Sequence, residues 1–303
     1  MRSRVKNRDL QIKAHNIFAL SELSELLASC NEDDIPVIIL KGASLLGTLY
    51  ENDLSRPMYD LDLLAQRADL GKIDEKLLRL GYQRLSHNWG SHITYRKKGA
   101  VSIPVEVHWE LINRSNPVQR YAFKIETEDF WEDLKPVKIC GSRACEMSPE
   151  NSLIYLSCHL MKEAFSHEKW LTDIDRFIRH YESEIDWEKV IDKTEKYGVK
   201  RSVYHALDRV HECYQTPSLT SVLTGIRPAR GGRGSERVMK QHSGDDLLHR
   251  WRSLARQLSI IETSSERIRA LIQLPFYLLK RSFMLRKEPE EILGRVMETV
   301  SGN

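Results

Sequence analysis

The chain has no C-x-x-C pair, no uninterrupted apolar run of membrane length, no internal repeat and no strong net charge. Each absence closes off a class of protein or leaves one open. The five cysteines (Cys30, Cys140, Cys145, Cys158, Cys213) are scattered and odd in number. That argues against a zinc site or a disulfide framework, and for reduced thiols in a cytoplasmic protein. Cys140 and Cys145, on either side of a turn-like Gly-Ser, are the pair nearest in sequence. A membrane-spanning helix needs about 18–20 apolar residues in a row. The best stretch, Ala270 to Leu285, is broken by Gln273, Pro275, Lys280 and Arg281, so no membrane span is expected. The basic start MRSRVKNRDL has no apolar segment behind it, so no signal peptide is expected either. A formal net charge of +3 is close to neutral for this length. It leaves nucleic-acid binding open, because a basic patch can sit on a near-neutral chain.

What is present is enough apolar sequence for real cores, 41% of 303 residues, and enough length for two domains of ordinary size. Residues 9–30 carry Leu10, Ala14, Ile17, Phe18, Leu23, Leu26 and Leu27 at helical spacing, an amphipathic helix suited to packing on a sheet. Pro36 starts a strand, Val37 to Leu40, that ends in Lys41-Gly42-Ala43-Ser44. Residues 44–49 suit a short helix, 58–64 a second strand and 68–80 a helix stopped by Gly81. Short strands follow at 82–85 and 92–96. The run Val101 to Leu111 alternates strictly, with Glu106, His108 and Glu110 on one side and Val105, Val107 and Trp109 on the other.

Past residue 140 the composition shifts. Ser148-Pro149-Glu150 has the order of a helix start, with an N-cap serine, proline at N1 and an acid in the first turn. Helices are expected at 149–165, 168–182, 186–197, 199–214, 245–262 and 264–285. Residues 224–240, rich in glycine and arginine, read as a mobile loop. The last helix, with Phe276, Tyr277, Leu278 and Phe283 beside Lys280, Arg281 and Arg286, fits a packed C-terminal helix with a basic outer face or a membrane-surface helix.

Three pieces carry chemistry. At the first, a strand ending in a glycine turn that opens a helix can present backbone N–H groups to a phosphate, with Ser44 and Lys41 as further contacts and Gly42 allowing close approach. The second is Asp60-x-Asp62 among apolar residues. Acids at i and i+2 on a strand share a face, and two carboxylates about 4 Å apart repel by roughly 4 kcal/mol near a protein surface. A divalent metal or salt bridges to a neighbouring helix would each satisfy them. The third is Glu106, which joins that face if its strand lies beside Asp60–Asp62. His108 could orient a carboxylate or be a hydrogen-bonded strand histidine. Arg56 could neutralise a triphosphate or pair with Asp53 or Asp60.

In order, Leu40-Lys41-Gly42, then Arg56-Pro57-Met58-Tyr59-Asp60-Leu61-Asp62-Leu63-Leu64, then Val105-Glu106-Val107-His108-Trp109, resemble a poorly characterised bacterial nucleotidyltransferase family. That family belongs to the superfamily with the DNA polymerase beta–like fold. His159, Leu171-Thr172-Asp173-Ile174 and Asp186-Trp187 look like its helical region, so the resemblance covers roughly residues 10–215. It implies an α+β architecture: a polymerase beta–like nucleotidyltransferase domain, a small mixed sheet flanked by helices, at 1–146, then an α-helical domain at 147–303. It also implies magnesium, or manganese, held by Asp60, Asp62 and Glu106 as the catalytic carboxylates, with Lys41, Gly42, Ser44 and Arg56 as nucleotide contacts. Serine stands one position later here than in the superfamily's glycine-serine turn. The implied activity is transfer of a nucleoside monophosphate from a nucleoside triphosphate to an acceptor, releasing pyrophosphate. The acceptor is open: a small molecule, a peptide or protein, or RNA. Two other readings use the same residues, a nucleotide-sugar glycosyltransferase with a metal on Asp-x-Asp and a non-catalytic nucleotide-binding module.

Overall fold

The computed structural model describes residues 2–50, 53–88, 90–99, 102–163, 165, 167–228 and 247–301. Residues 229–240, most of the expected glycine- and arginine-rich loop, lie outside them. The chain divides into two compact units, each discontinuous in sequence: residues 1–111, 133–146 and 281–303, and residues 112–132 and 147–280.

The first unit is built on a mixed sheet of seven strands. They are β1 (Val37–Ile39), β2 (Leu61–Ala65), β3 (Tyr82–Asn88), β4 (His92–Lys97), β5 (Val105–His108), β6 (Lys135–Ile139) and β7 (Ser142–Glu146). The order across the sheet is β3-β4-β5-β2-β1-β7-β6. β2 runs parallel to β5 and antiparallel to β1, which is parallel to β7. Every residue of β1 and β2 is buried, and apart from the charged Asp62 both strands are apolar throughout rather than alternating. Helix α1 (Arg2–Glu32) packs on β7 and on α3 (Leu70–Arg79). Its buried stripe is Ala19, Leu20, Leu23, Leu26, Leu27 and Cys30, whereas Leu10 and Ile17, expected in the core, are exposed. Only the C-terminal half of the helix lies on the sheet.

Two differences from the expected elements matter. Helix α2 spans Lys41–Thr48, so Gly42 sits in its first turn and not in a loop before it. Leu40 is extended, and Lys41 takes a left-handed φ of +47°, a conformation uncommon outside glycine. The hairpin β6–β7 was not expected. It turns on Cys140-Gly141, with φ of +47° and +90°, the two positive values that a tight hairpin turn needs. Cys140 is therefore an exposed turn residue and Cys145 a half-buried strand residue.

The second unit is helical. It holds α4 (Pro117–Ala122), α5 (Pro149–Lys162), α6 (Glu168–His180), α7 (Trp187–Lys196), α8 (Lys200–Tyr214), α9 (Leu219–Gly225), α10 (Leu247–Ile260) and most of α11 (Ser264–Met284). Ser148 caps α5 by accepting from the Asn151 N–H, and Asp186 caps α7 by accepting from the Lys189 N–H. α5 is the central helix, buried from Leu153 through Met161 except for His159 and packed on α6, α7 and α8. A last helix, α12 (Pro289–Ser301), belongs to the first unit, where it packs on α3 and β3. Among the described residues no helix is long and apolar enough to cross a membrane.

Candidate active site

The sheet register assembles the acids. Asp62 on β2 pairs with Glu106 on β5, and Glu106 pairs with Thr94 on β4. One step along, Leu64, His108 and His92 form the next row. Residues two apart on a strand share a face, so Asp62, Glu106, His108 and His92 point the same way. Asp60, in the extended lead-in to β2, joins them. Ligand atoms of Asp60, Asp62 and Glu106 all lie within 4.8 Å of one another, as do those of His92, Glu106 and His108. Asp74 fixes the outer strands from below: it takes Arg84 Nε and Nη2 at 2.8 and 2.6 Å, and the Tyr95 hydroxyl at 2.8 Å.

Asp62 is the hub. Its side chain is 2% exposed. Its Oδ1 accepts from Lys41 Nζ at 2.7 Å and lies 3.0 Å from His108 Nε2. Burial pushes the Asp62 carboxyl up, but the Lys41 ammonium and the His108 contact outweigh it and hold the group well below the usual carboxylate range. Glu106 is likewise pushed up by burial and brought down below its ordinary value by His108 and His92, against the charge of Asp62. His108 Nε2 lies 3.3 Å from Glu106 Oε2, and His92 Nε2 lies 3.8 Å from the same oxygen. Both neighbours of His108 Nε2 are acceptors, so that nitrogen carries the proton. Nδ1 of the same ring is buried without a hydrogen-bond partner.

The other expected contacts are placed differently. Ser44 Oγ donates to Glu146 Oε1 at 2.7 Å, on β7. Gly42 is buried, and a Cβ there would lie 3.0 Å from Arg56 Nη1 and 3.1 Å from Met58 Cγ, so the missing side chain makes room for those two residues. Arg56 is 6% exposed, and its carbonyl accepts from Asn16 Nδ2 at 2.7 Å.

A family model described as an uncharacterised nucleotidyltransferase matches residues 1–215. The chain belongs to that nucleotidyltransferase family. No curated protein matches this nucleotidyltransferase. Among solved structures it is similar to an antigenic nucleotidyltransferase-like protein from Paracoccidioides brasiliensis, at 17% identity over 68% of this chain and 92% of that one, TM-score 0.45. It is also similar to the antibiotic-resistance factor ANT(2'')-Ia, at 14% identity over 66% and 100% of the two chains, TM-score 0.41. A Thermotoga maritima CCA-adding enzyme complexed with tRNA matches at 12% identity over 92% and 95%, TM-score 0.22.

Sequence reasoning passed over His92. The signal was there: in His92-Ile-Thr-Tyr-Arg96 the polar residues alternate with Ile93 and Tyr95, which are buried. Glu146 was also passed over. Burial raises its carboxyl above the ordinary value, partly offset by the Ser44 hydrogen bond and by Lys135. A raised acid holds its proton longer folded than unfolded. Stability is therefore lost as pH climbs from the unfolded value of 4.5 through the folded one. Glu146→Gln keeps an acceptor for Ser44 and removes that penalty. It is expected to raise the melting temperature by a few degrees at pH 7, and by less at pH 4, in a thermal unfolding series.

Proposed function

We propose that this nucleotidyltransferase moves a nucleoside monophosphate from a nucleoside triphosphate to an acceptor hydroxyl, or a comparable group, with release of pyrophosphate. The observation that carries this is the convergence of Asp60, Asp62 and Glu106, with Lys41 on Asp62, where β2 and β5 run side by side. Three carboxylates this close call for a cation. An all-oxygen donor set suits magnesium or manganese, which keep their remaining positions for water and substrate phosphates. Asp60, Asp62 and Glu106 would hold such an ion, which would offset charge on the triphosphate and on the departing pyrophosphate.

The side chains divide the rest of the work. Glu106, touched by both His108 and His92 and more accessible than Asp62, at 23% against 2%, accepts the proton of the attacking hydroxyl. Lys41 supplies a point charge for a phosphate oxygen, and the N–H groups of the first turn of α2 lack intrahelical partners and add to it. Arg56, buried against Gly42, steadies that turn. His108 orients Asp62 and Glu106 together. A metal–nucleotide-sugar site on Asp-x-Asp needs neither Glu106 nor Lys41, so their presence favours nucleotidyl over glycosyl transfer.

The test is incubation of the full chain and cell extract with each α-labelled nucleoside triphosphate and magnesium. Labelling of one acceptor class with matching pyrophosphate release, abolished by chelator, is expected. Sugar transfer from a nucleotide sugar, or no pyrophosphate from any triphosphate, overturns the proposal. His108→Phe keeps a ring in the buried position and removes the Nε2 contacts. It is expected to lower kcat by about 10–100-fold, as loss of a supporting contact to a metal-site carboxylate does, and to lower the melting temperature by a few degrees, because the buried Asp62 loses the His108 contact at 3.0 Å but keeps Lys41.

A further inference from the structure

Helix α11 turns an apolar face outward. At about 100° per residue, Ile268, Leu271, Ile272, Phe276, Leu279 and Phe283 fall within one arc of roughly 140°. All six are exposed, from 49% for Leu271 to 72% for Leu279, apart from Phe18-like half-covered side chains elsewhere in the chain that stand singly. The inner side of the helix is small or polar. Ala270 is fully buried, and Gln273 Oε1 accepts from Arg120 Nη2 of α4 at 2.5 Å. The sequence allowed a packed helix with a basic outer face. In the structure the outer face is apolar and the cations stand along its edges. Single exposed apolar side chains are ordinary, but a continuous stripe over five turns marks a contact surface.

The charges decide what fits that stripe. The same helical spacing places Arg269 and Lys280 along one border and Arg267 and Arg281 along the other. Arg267 donates to the carbonyls of Ser259 and Ile261, neutral partners that leave its charge in place. The sole acid of the helix, Glu266, lies on the opposite side, 2.7 Å from Lys124. A second copy laid on the same face would bring these cations against each other, which is costly. The longest stretch outside the described residues, 229–246, has only Val238 and Met239 as large apolar side chains, too few to cover the stripe. An anionic lipid surface meets both halves of the pattern. The acyl boundary takes the apolar arc, and the long basic side chains at its borders reach back to the headgroups.

We propose that α11 is a membrane-surface helix that docks this nucleotidyltransferase on anionic lipid. It lies in the plane of the bilayer with Ile268, Ile272, Phe276 and Leu279 downward, and Arg269, Lys280 and Arg281 at headgroup level. The helix rests on the bilayer and does not cross it, since no described helix is long and apolar enough to do so. The placement is independent of the acids and of the reaction they carry out.

The test is flotation of the full chain with vesicles of phosphatidylcholine alone and of phosphatidylcholine mixed with phosphatidylglycerol. Wild type is compared with a Phe276→Glu, Leu279→Glu double variant and with an Arg269→Gln, Arg281→Gln double variant. Wild type is expected to bind the mixed vesicles at least tenfold more tightly than phosphatidylcholine alone, and less tightly as salt is raised. The glutamate variant is expected to lose at least tenfold on the mixed vesicles. The glutamine variant is expected to lose roughly fivefold per charge removed on the mixed vesicles, with phosphatidylcholine binding unchanged. If the glutamate variant does not fold by circular dichroism, the glutamine variant decides alone. A wild type that floats with neither vesicle overturns the proposal, as does equal flotation of wild type and a folded glutamate variant. A wild-type dimer in sedimentation velocity that the glutamate variant disperses, with no flotation, also overturns it and assigns the stripe to a second copy.

Discussion

Asp62→Asn is expected to lower magnesium-dependent pyrophosphate release by on the order of a thousandfold while the chain stays folded. The loss follows from the position of the residue. Asp62 is the acid that touches Lys41, shares His108 with Glu106 and stands within ligand distance of Asp60. Removing its charge weakens the cation site and the electrostatic preorganisation together, and the loss of one preorganised contact alone is worth about 100–1,000-fold. The fold survives because asparagine has the same shape and keeps Oδ1 as acceptor for Lys41 Nζ and His108 Nε2. Nor is the lysine orphaned, since its side chain is 16% exposed and Asp60 and Glu106 remain close by. Pyrophosphate release and a thermal melt on the same sample check both halves. Wild-type turnover in a folded Asp62→Asn protein would remove the acids from the mechanism.

The residues that assemble this site were legible to different degrees, and the reason is geometric. The acids could be read because a strand repeats every two residues. Asp60-x-Asp62 and Glu106-x-His108 each declare a face without any tertiary knowledge, and the buried runs at β1 and β2 mark central strands. What joins them is the β2–β5 pairing, which the sequence permits but does not specify. The hairpin β6–β7 escaped notice because Lys135, Lys138 and Arg143 break its apolar pattern and Pro136 reads as a breaker. β6 is the outermost strand of the sheet, where a proline needs no ladder partner on its free side. Helix α12 returns to the first unit from the far end of the chain, a long-range packing that no local period encodes. Ser44 and Lys41 both suit a phosphate by type. Their partners in the structure, Glu146 and Asp62, are 102 and 21 residues away, and only the folded sheet brings them within reach.

Lys41→Met is the second large effect expected, and its sign depends on metal. Without divalent ions Lys41 is the cation that holds Asp62 ionised inside the sheet. It does so from a left-handed backbone, φ +47°, and strain of that kind is kept where the surroundings fix it. In the wild type the Asp62 carboxyl lies below its ordinary value of 3.8. Its contribution to stability is therefore complete above that value and lost as pH falls through the depressed one. Removing Lys41 leaves burial to push the carboxyl up, with only His108 against it. Breaking a buried ion pair costs about 3–5 kcal/mol, and the partial exposure of Lys41 places this case at or below the lower end. At roughly 2–4 °C per kcal/mol for a domain of this size, the variant in chelator at pH 7 is expected to melt several degrees below wild type. Added magnesium or manganese then restores what the lysine supplied. A ligand at 100 times its Kd stabilises by about 2.7 kcal/mol, and in the variant the ion no longer competes with an ammonium for Asp62. The metal-induced rise in melting temperature is therefore expected to be larger for Lys41→Met than for wild type, even though the variant turns over more slowly for want of a phosphate contact. Equal melting of the two proteins in chelator, with no difference on adding metal, would show that the 2.7 Å contact between Lys41 and Asp62 contributes nothing to holding the acids together.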